Sequence, residues 1–265
     1  MPAADLSLAG HEVSLYLYLR NRERFAETFA TRRIRISGAG RTGDAAIRLV
    51  TDDMAAALDG TRVVMVPLPA FAHEDVARKA APHLRAGQVV CLTPGTFGSY
   101  VFARTLRELG GAPAVTAEAA TLPYGTRICG PSDVRVTMVA EHLPTGVFPA
   151  KRTAETLDVL CQVYPATEPV SDALDAALLN VNGALHASLT IMNAGPIEGM
   201  DSFDIHRQGS TPAILRVMAA LEGERIALRE RLGYRPPHWP IMDCRRRSDG
   251  SPPHRSLPAV HPADG

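Results

Sequence analysis

Hydrophobic positions along this chain follow two rhythms. Short and nearly unbroken apolar runs, TRVVMVPLP (61–69) and GQVVCLTPG (87–95), have the length and β-branched content of strands buried on both faces. The β-rich run EVSLYLYL (12–19) predicts another strand, and prolines end the run at 61–69, where ladder pairing must stop. Around them the spacing lengthens to the helical period. AADLSLAG (3–10), AHEDVARKAAPHL (72–84) and SYVFARTLRELGG (99–111) predict helices, the first and last ending in glycine. Strands alternating with helices imply an α/β fold with a doubly wound parallel sheet.

Beyond Pro144 the helical period dominates. AKRTAETLDVLCQVY (150–164) predicts one helix, and Ser171 to Asn193 a long second one that Gly195 and Pro196 terminate. Ser210-Thr211-Pro212, a capping residue followed by proline in the first turn, opens a further helix running to Gly233. The chain therefore divides into an α/β part (1–168), an all-helical part (169–240) and an aperiodic tail rich in Arg, Pro, Ser and His (241–265), which composition predicts to be disordered.

Between Gly38 and Gly43 the sequence GAGRTG has the spacing G-x-G-x-x-G, which holds a pyrophosphate only when a strand precedes it and a helix comes directly after. Here the β-branched, alternating AIRLVT (46–51) comes next, and the first good helix, DDMAAALDG (52–60), comes later. The expectation is a turn between two strands, its glycines supplying positive φ. A true phosphate loop belongs before AADLSLAG, so the first strand and the Gly-rich loop are expected to be missing from a sheet that needs them at its centre. This leaves two readings: the natural protein starts further upstream, or the polypeptide is a fragment. Leaving a central strand out costs roughly 1–3 kcal/mol per buried unpaired backbone group.

Composition narrows the function. The 265 residues carry 28 Lys plus Arg against 28 Asp plus Glu, a balance that argues against nucleic acid or an anionic membrane as partner. No apolar run has the length of a membrane span, and the N-terminus lacks a basic start and apolar stretch, so the cytoplasm is the expected location. Cys91, Cys129, Cys161 and Cys244 are dispersed without a C-x-x-C pair, which predicts reduced, mostly buried thiols and no metal site.

Candidate chemistry falls in two regions. On a continuous helix from Ser171 to Asn193, Asp175, Asn182, His186, Thr190 and Asn193 would share one polar stripe. A satisfied core histidine or a solvated face is the plain explanation of such a stripe. Small Gly183, Ala184 and Ala187 around His186 suit close approach of a ligand, to which a histidine can give or take a proton near neutral pH. The second region is the set of segments beyond the carboxyl ends of the strands: VPLPAFAH (66–73), LTPGTFGS (92–99) and EAATLPYGTR (118–127). The first two have turn chemistry compatible either with ordinary loops or with a nucleotide passing over the backbone. The third, a surface loop on the plainer reading, gathers a carboxylate, a phenol and a guanidinium suited to an amino acid or keto acid.

Taken together, AGHEVSLY, VTDDMAAALDGTRVVMVPLPAFAH, LTPGTFGS, EAATLPYGTR, LLNVNGALHASLTIMNAGPIE and ALEGERIALRERLGY resemble the opine dehydrogenase family, which includes octopine dehydrogenases. The run LNVNGALH followed by NAGPIE is the specific part; the rest is shared with ketopantoate-reductase-like enzymes. The resemblance implies a Rossmann-like domain joined to a helical dehydrogenase domain. It implies an NAD- or NADP-dependent reaction that condenses an amino acid with an α-keto acid and reduces the imine. By position, His186 corresponds to the family's acid/base, and Asn182 to the asparagine that holds the keto acid. Glu118 and Tyr124 fall in the segment facing the amino acid, and Pro67, Leu68, Pro69 and Thr93 correspond to strand ends that pass the cofactor. Arg20 stands where a basic residue accommodates a 2′-phosphate, favouring NADP, unless it is simply solvated. Family members continue past HWP (238–240) with further helices, and the tail after Met242 has the composition of a GC-rich gene read in a shifted frame. An apolar face left by those helices would suit a homodimer or aggregation. The alternatives are an inactive remnant or interaction protein of the same fold, and a reductase of a single keto acid.

Overall fold

The computed structural model describes residues 2–238. The α/β part runs α1 (Pro2–Leu8), β1 (Ser14–Tyr16), α2 (Ala26–Thr31), β2 (Arg33–Gly38), β3 (Gly43–Ala46), β4 (Leu49–Thr51), α3 (Met54–Leu58), β5 (Val63–Val66), α4 (His73–Ala80), β6 (Val89–Leu92), α5 (Gly98–Glu108), β7 (Val115–Ala119), β8 (Tyr124–Ile128), β9 (Asp133–Val139), β10 (Leu143–Phe148), α6 (Thr153–Val163) and β11 (Thr167–Pro169). Helices α7 (Ala173–Leu179), α8 (Asn182–Met192), α9 (Ala194–Gly199) and α10 (Pro212–Arg231) complete the described chain.

The principal sheet has the order β11-β10-β7-β6-β5. Strands β5, β6 and β7 are parallel, with Val64 opposite Val90 and Val90 opposite Thr116, while β10 runs antiparallel to β7. The sheet is therefore mixed rather than wholly parallel. Its helices lie on both faces. Val90 and Leu92 pack with Phe102, Leu106 and Leu84 on one side; Val89 and Cys91 pack with Val115, Ala117, Val147 and Leu160 on the other. This explains why β6 reads VVCL without a polar position, since both of its faces are core. Each large side chain so buried contributes about 1.5–3 kcal/mol.

Strands β1 and β4 form a separate two-stranded parallel sheet, with Ser14 opposite Leu49, and among the described residues β5 pairs only with β6. Of the apolar run 12–19, only Ser14–Tyr16 is strand.

A four-stranded sheet of order β3-β2-β9-β8 is absent from the sequence-based expectation. Helix α1 packs on it through Ala3 and Ala4, against Ile34, Ile36, Ala45, Val134 and Val136. GAGRTG is the turn of this sheet's antiparallel β2–β3 hairpin, with Ile36 opposite Gly43. Gly38, Gly40 and Gly43 all have positive φ, and a Cβ on Gly38 would lie 2.1 Å from the Val136 carbonyl oxygen. The motif is a strand connection, as its neighbours in sequence imply.

The helical part departs from expectation at its centre. The helix expected from Ser171 to Asn193 is two helices, broken at Asn180 and Val181. At the break the Asn180 side chain accepts from the backbone N of Asn182, a local bond that competes with the helix, and α10 holds α7 from across the chain. Arg225 Nη1 donates to the Leu178 carbonyl at 3.0 Å, and buried Arg229 Nη1 donates to the Asp175 carbonyl at 2.9 Å and to its carboxylate at 2.6 Å. Arg225 thus caps the carbonyl end of α7, where a helix accumulates partial negative charge, while Arg229 holds its first turn. Helix α10 itself starts where the sequence places it, with Thr211 Oγ1 accepting from Ile214 N and Pro212 in the first turn. The expected tail at 241–265 lies outside the described residues.

Burial corrects the expectation that the thiols are mostly buried. Cys91 is buried, but Cys129 and Cys161 are exposed, and all three are free thiols. Among the described residues no helix is long and apolar enough to cross a membrane.

Candidate active site

Three elements converge beyond the carboxyl ends of β5, β6 and β7. The segment after β5 exposes Pro67, Pro69 and Phe71, the last 88% accessible, while Leu68 packs on the sheet core. His73, at the start of α4, is 1% exposed. Its Nε2 lies 3.1 Å from the Leu68 carbonyl, which assigns the proton there, and its Nδ1 has no partner among the described residues. Burial holds its pKa below the ordinary histidine value. The imidazole is thus neutral and fixes the backbone of the 67–69 segment.

The loop between β6 and α5, Thr93 to Ser99, is conformationally loaded. Thr96 and Phe97 both adopt left-handed backbone, at φ 48° and 64°, although neither is glycine. Such residues cost of order 1–3 kcal/mol each and persist only when their surroundings hold them. Glu118, from the end of β7, is one part of that hold. Its Oε1 accepts from Phe97 N at 2.6 Å and its Oε2 from Ser99 N at 3.0 Å. Gly95 makes room for it: a Cβ there would fall 1.6 Å from Glu118 Cγ. Burial pushes the Glu118 carboxyl above the usual carboxylate range, and the two amide donors oppose that shift.

The helix α8 supplies the third element. Asn182 and His186, four residues apart, share a face, half-buried and exposed respectively. The ring of His206 stands edge-on to that of His186, with centroids 6.1 Å apart. Thr190, one turn further along α8, stays exposed beside His186, whereas the two outer members of the expected stripe go elsewhere. Asp175 is buried against Arg229, and Asn193 is buried, donating to the carbonyls of Leu189 at 2.8 Å and Gly209 at 3.1 Å. Once the helix is broken, the single stripe no longer exists.

Two expected substrate residues are otherwise engaged. Glu118 is 1% exposed and spends both oxygens on the loop, so it shapes the site from beneath instead of facing into it. Tyr124 lies on β8 of the second sheet. Its hydroxyl donates to buried Asp5 at 2.6 Å and its ring packs edge-on against Tyr164. Asp5 also receives Arg41, the arginine of GAGRTG, at 3.0 Å. Tyr124 and Arg41 are thereby joined through α1 in a structural network.

Thr93 is wholly buried, backbone included, and offers no exposed surface. Arg20 is exposed and lies 4.7 Å over the Tyr18 ring. The Tyr18 hydroxyl donates to Asp75 at 2.9 Å, and Lys79 pairs with the same carboxylate. Arg20 thus stands beside the Lys79–Asp75 ion pair next to the β1 end. Sequence reasoning missed His206 and Asn180. The Asn180 side chain donates to Thr96 Oγ1 at 2.6 Å and accepts from Asn182 N at 2.9 Å. The signal available in sequence was the paired asparagine of N-V-N.

Residues 169–248, which include both Asn182 and His186, match the family model described as NAD/NADP octopine/nopaline dehydrogenase, alpha-helical domain. The helical part is similar to the helical domain of octopine and nopaline dehydrogenases. Over 96% of its length this opine-dehydrogenase-like chain is 28% identical to an opine dehydrogenase of Arthrobacter sp. (strain 1C), covering 73% of that protein. The fold matches yersinopine dehydrogenase with NADP+ bound (TM-score 0.71, 16% identity, 87% of this chain and 61% of that one). It also matches octopine dehydrogenase in complex with NADH and agmatine (TM-score 0.68, 19% identity, 86% of this chain and 60% of that one). The chain spans about three fifths of the length of these solved dehydrogenases.

Proposed function

We propose that this chain serves an NAD(P)-dependent dehydrogenase of the opine type, which joins the amine of an amino acid to the carbonyl of an α-keto acid and reduces the resulting imine. The observation that carries this reading is the placement of Asn182 and His186 on one face of α8, within the segment that matches the octopine/nopaline dehydrogenase helical domain. Octopine dehydrogenase with NADH and yersinopine dehydrogenase with NADP+ share the fold.

The residues present fit such a cofactor in part. Exposed Pro67, Pro69, Phe71 and Phe97 give an apolar shelf for a flat ring beyond β5 and β6. Exposed Arg20, beside the Lys79–Asp75 ion pair, gives a cation at the β1 end, favourable to an additional phosphate and hence to NADP. GAGRTG, as a hairpin turn, is not the phosphate cradle. When bound, the nicotinamide would supply hydride to the imine carbon.

In this reading the amine nitrogen bonds to the keto-acid carbonyl carbon, and His186, exposed on α8, passes protons from that nitrogen to the oxygen, so that the C–O bond breaks and water leaves as the imine forms; Asn182 holds the keto-acid group through its amide. Glu118 acts only by shaping the 93–99 loop, and Tyr124 only by securing α1. The division at residue 168 into a nucleotide-binding part and a helical substrate part belongs to the same proposal. So do a cytoplasmic location and a homodimer, the latter supported by exposed Ile191, Met192, Ile197 and Met200 along α8 and α9.

Titrating the protein with NADH and NADPH by fluorescence, then requiring both an amino acid and a keto acid for oxidation, tests the reading. Micromolar binding and a two-substrate requirement support it. No binding up to millimolar cofactor points to a non-catalytic scaffold, and turnover with the keto acid alone points to a simple keto-acid reductase.

A further inference from the structure

We infer that Asn180 is a positioning residue, a strut that ties the Thr93–Ser99 loop to the first turn of α8 and so sets where Asn182 and His186 stand. Four observations converge on it. Asn180 occupies the break between α7 and α8, where the backbone changes direction between the two helices. Both ends of its amide are used, and in opposite directions: Nδ2 donates to Thr96 Oγ1 at 2.6 Å, and Oδ1 accepts from the backbone N of Asn182 at 2.9 Å. Val181, which caps α8, offers no side-chain acceptor, and it is Asn180 that takes the amide of Asn182. Thr96, at the other end, sits in left-handed backbone, which needs an outside hold to persist.

The two halves of the strut restrain each other. With Nδ2 held by Thr96, the carboxamide cannot rotate, and its oxygen stays aimed at the start of α8. With the oxygen held, the same group fixes the Thr96 hydroxyl and with it the exposed crest of the loop. Arg225 anchors the other side of the break by holding the Leu178 carbonyl, so motion at Asn180 is confined to the α8 side. A small shift of the loop is therefore passed to Asn182 directly and to His186 one turn further on. That last step rests on the reading of α8 as the acid/base helix; the strut itself does not.

The experiment uses the whole chain and has a readout that needs no turnover. Thr96→Ala removes the hydroxyl but leaves Asn180 and Asn182 untouched. Hydrogen exchange at the Asn182 amide is expected to speed up by about tenfold in Thr96→Ala and by at least as much in Asn180→Ala. Thr96→Ser keeps the hydroxyl, and Asn180→Asp keeps both contacts, since the threonine hydroxyl can donate to a carboxylate. Both are expected to exchange like the parent. An unchanged rate in Thr96→Ala, or Asn180→Asp behaving as Asn180→Ala, overturns the strut.

A second arm reads the consequence for chemistry. With saturating cofactor and substrates, kcat is expected to fall about 10–100-fold in Asn180→Ala and in Thr96→Ala, with cofactor affinity within twofold. The double variant should lose no more than the worse single one, because both cut the same link. Losses that multiply overturn the coupling. A parent protein that neither binds nor oxidises NAD(P)H would instead refute the proposed function, and the exchange result would still decide the strut.

Discussion

Arg229 donates to the Asp175 carboxylate at 2.6 Å with both side chains buried, 1% and 7% accessible, across 54 residues of chain. The same guanidinium reaches the Asp175 backbone carbonyl, and Tyr234, over which it lies, donates to Asp172 at the start of α7. This pair is the bolt between α7 and α10. Removing one member strands the other as an uncompensated buried charge, which costs more than the pair contributes net. Arg229→Ala is expected to lower unfolding free energy by about 3–5 kcal/mol, measured by urea denaturation. Asp175→Asn, which retains an acceptor for the guanidinium, should cost less.

His186→Ala should reduce turnover by about 10²–10⁴-fold while leaving NAD(P)H affinity nearly unchanged, because in the proposed reading it exchanges a proton with the reacting oxygen and makes no contact with the nucleotide. Steady-state rates with fluorescence titration on the same preparation check both halves. Asn182→Ala should act mainly on the KM for the keto acid.

Gly95 and Glu118 form the tightest contact under the site. Gly95→Ala places a Cβ 1.6 Å from Glu118 Cγ, so the carboxylate or the loop must move. A loss of about 1–3 kcal/mol in stability is expected, together with faster amide exchange at Phe97 and Ser99. Glu118→Gln, which keeps one acceptor oxygen for those amides, should be milder on both measures.

His73 makes stability depend on pH. Burial lowers its folded-state pKa, so below about 6.5 the unfolded chain takes up a proton that the folded chain does not. Stability from this group is thus complete above the unfolded pKa and is lost as pH falls towards the lowered folded value. The slope is at most about 1.4 kcal/mol per pH unit. Denaturation between pH 8 and pH 5 should show this loss in the parent and a smaller one in His73→Gln.

Tyr124→Phe removes the hydroxyl that donates to Asp5 but leaves Arg41 in place. Stability should fall by about 0.5–3 kcal/mol, since the contact includes a charged and buried acceptor. The KM for the amino acid should stay within twofold. A rise in that KM without loss of stability would return Tyr124 to the substrate pocket.

Much of this architecture was legible in one dimension. Strand β6 reads VVCL because both of its faces are core, and helix α10 starts at Thr211-Pro212 because capping and a missing amide hydrogen act within one turn. GAGRTG could be rejected as a cofactor loop from its C-terminal neighbours, since AIRLVT (46–51) alternates like a strand where a phosphate loop would open a helix. The pairing of Asn182 with His186 needed only the helical period over four residues.

What tertiary structure decided has a common physical origin: partners far away in sequence. The helix expected from Ser171 to Asn193 breaks at Asn180, whose side chain takes the Asn182 amide locally, and Arg225 and Arg229 from α10 hold α7 at Leu178 and Asp175. Glu118 and Tyr124 look like ligand-binding groups in the segment EAATLPYGTR, but Phe97, Ser99 and Asp5 claim them once the chain folds. Local propensity and periodicity are properties of a few neighbouring residues and survive in the sequence. Which polar group is left free to meet a substrate depends on which others find it first, and only the folded chain determines that.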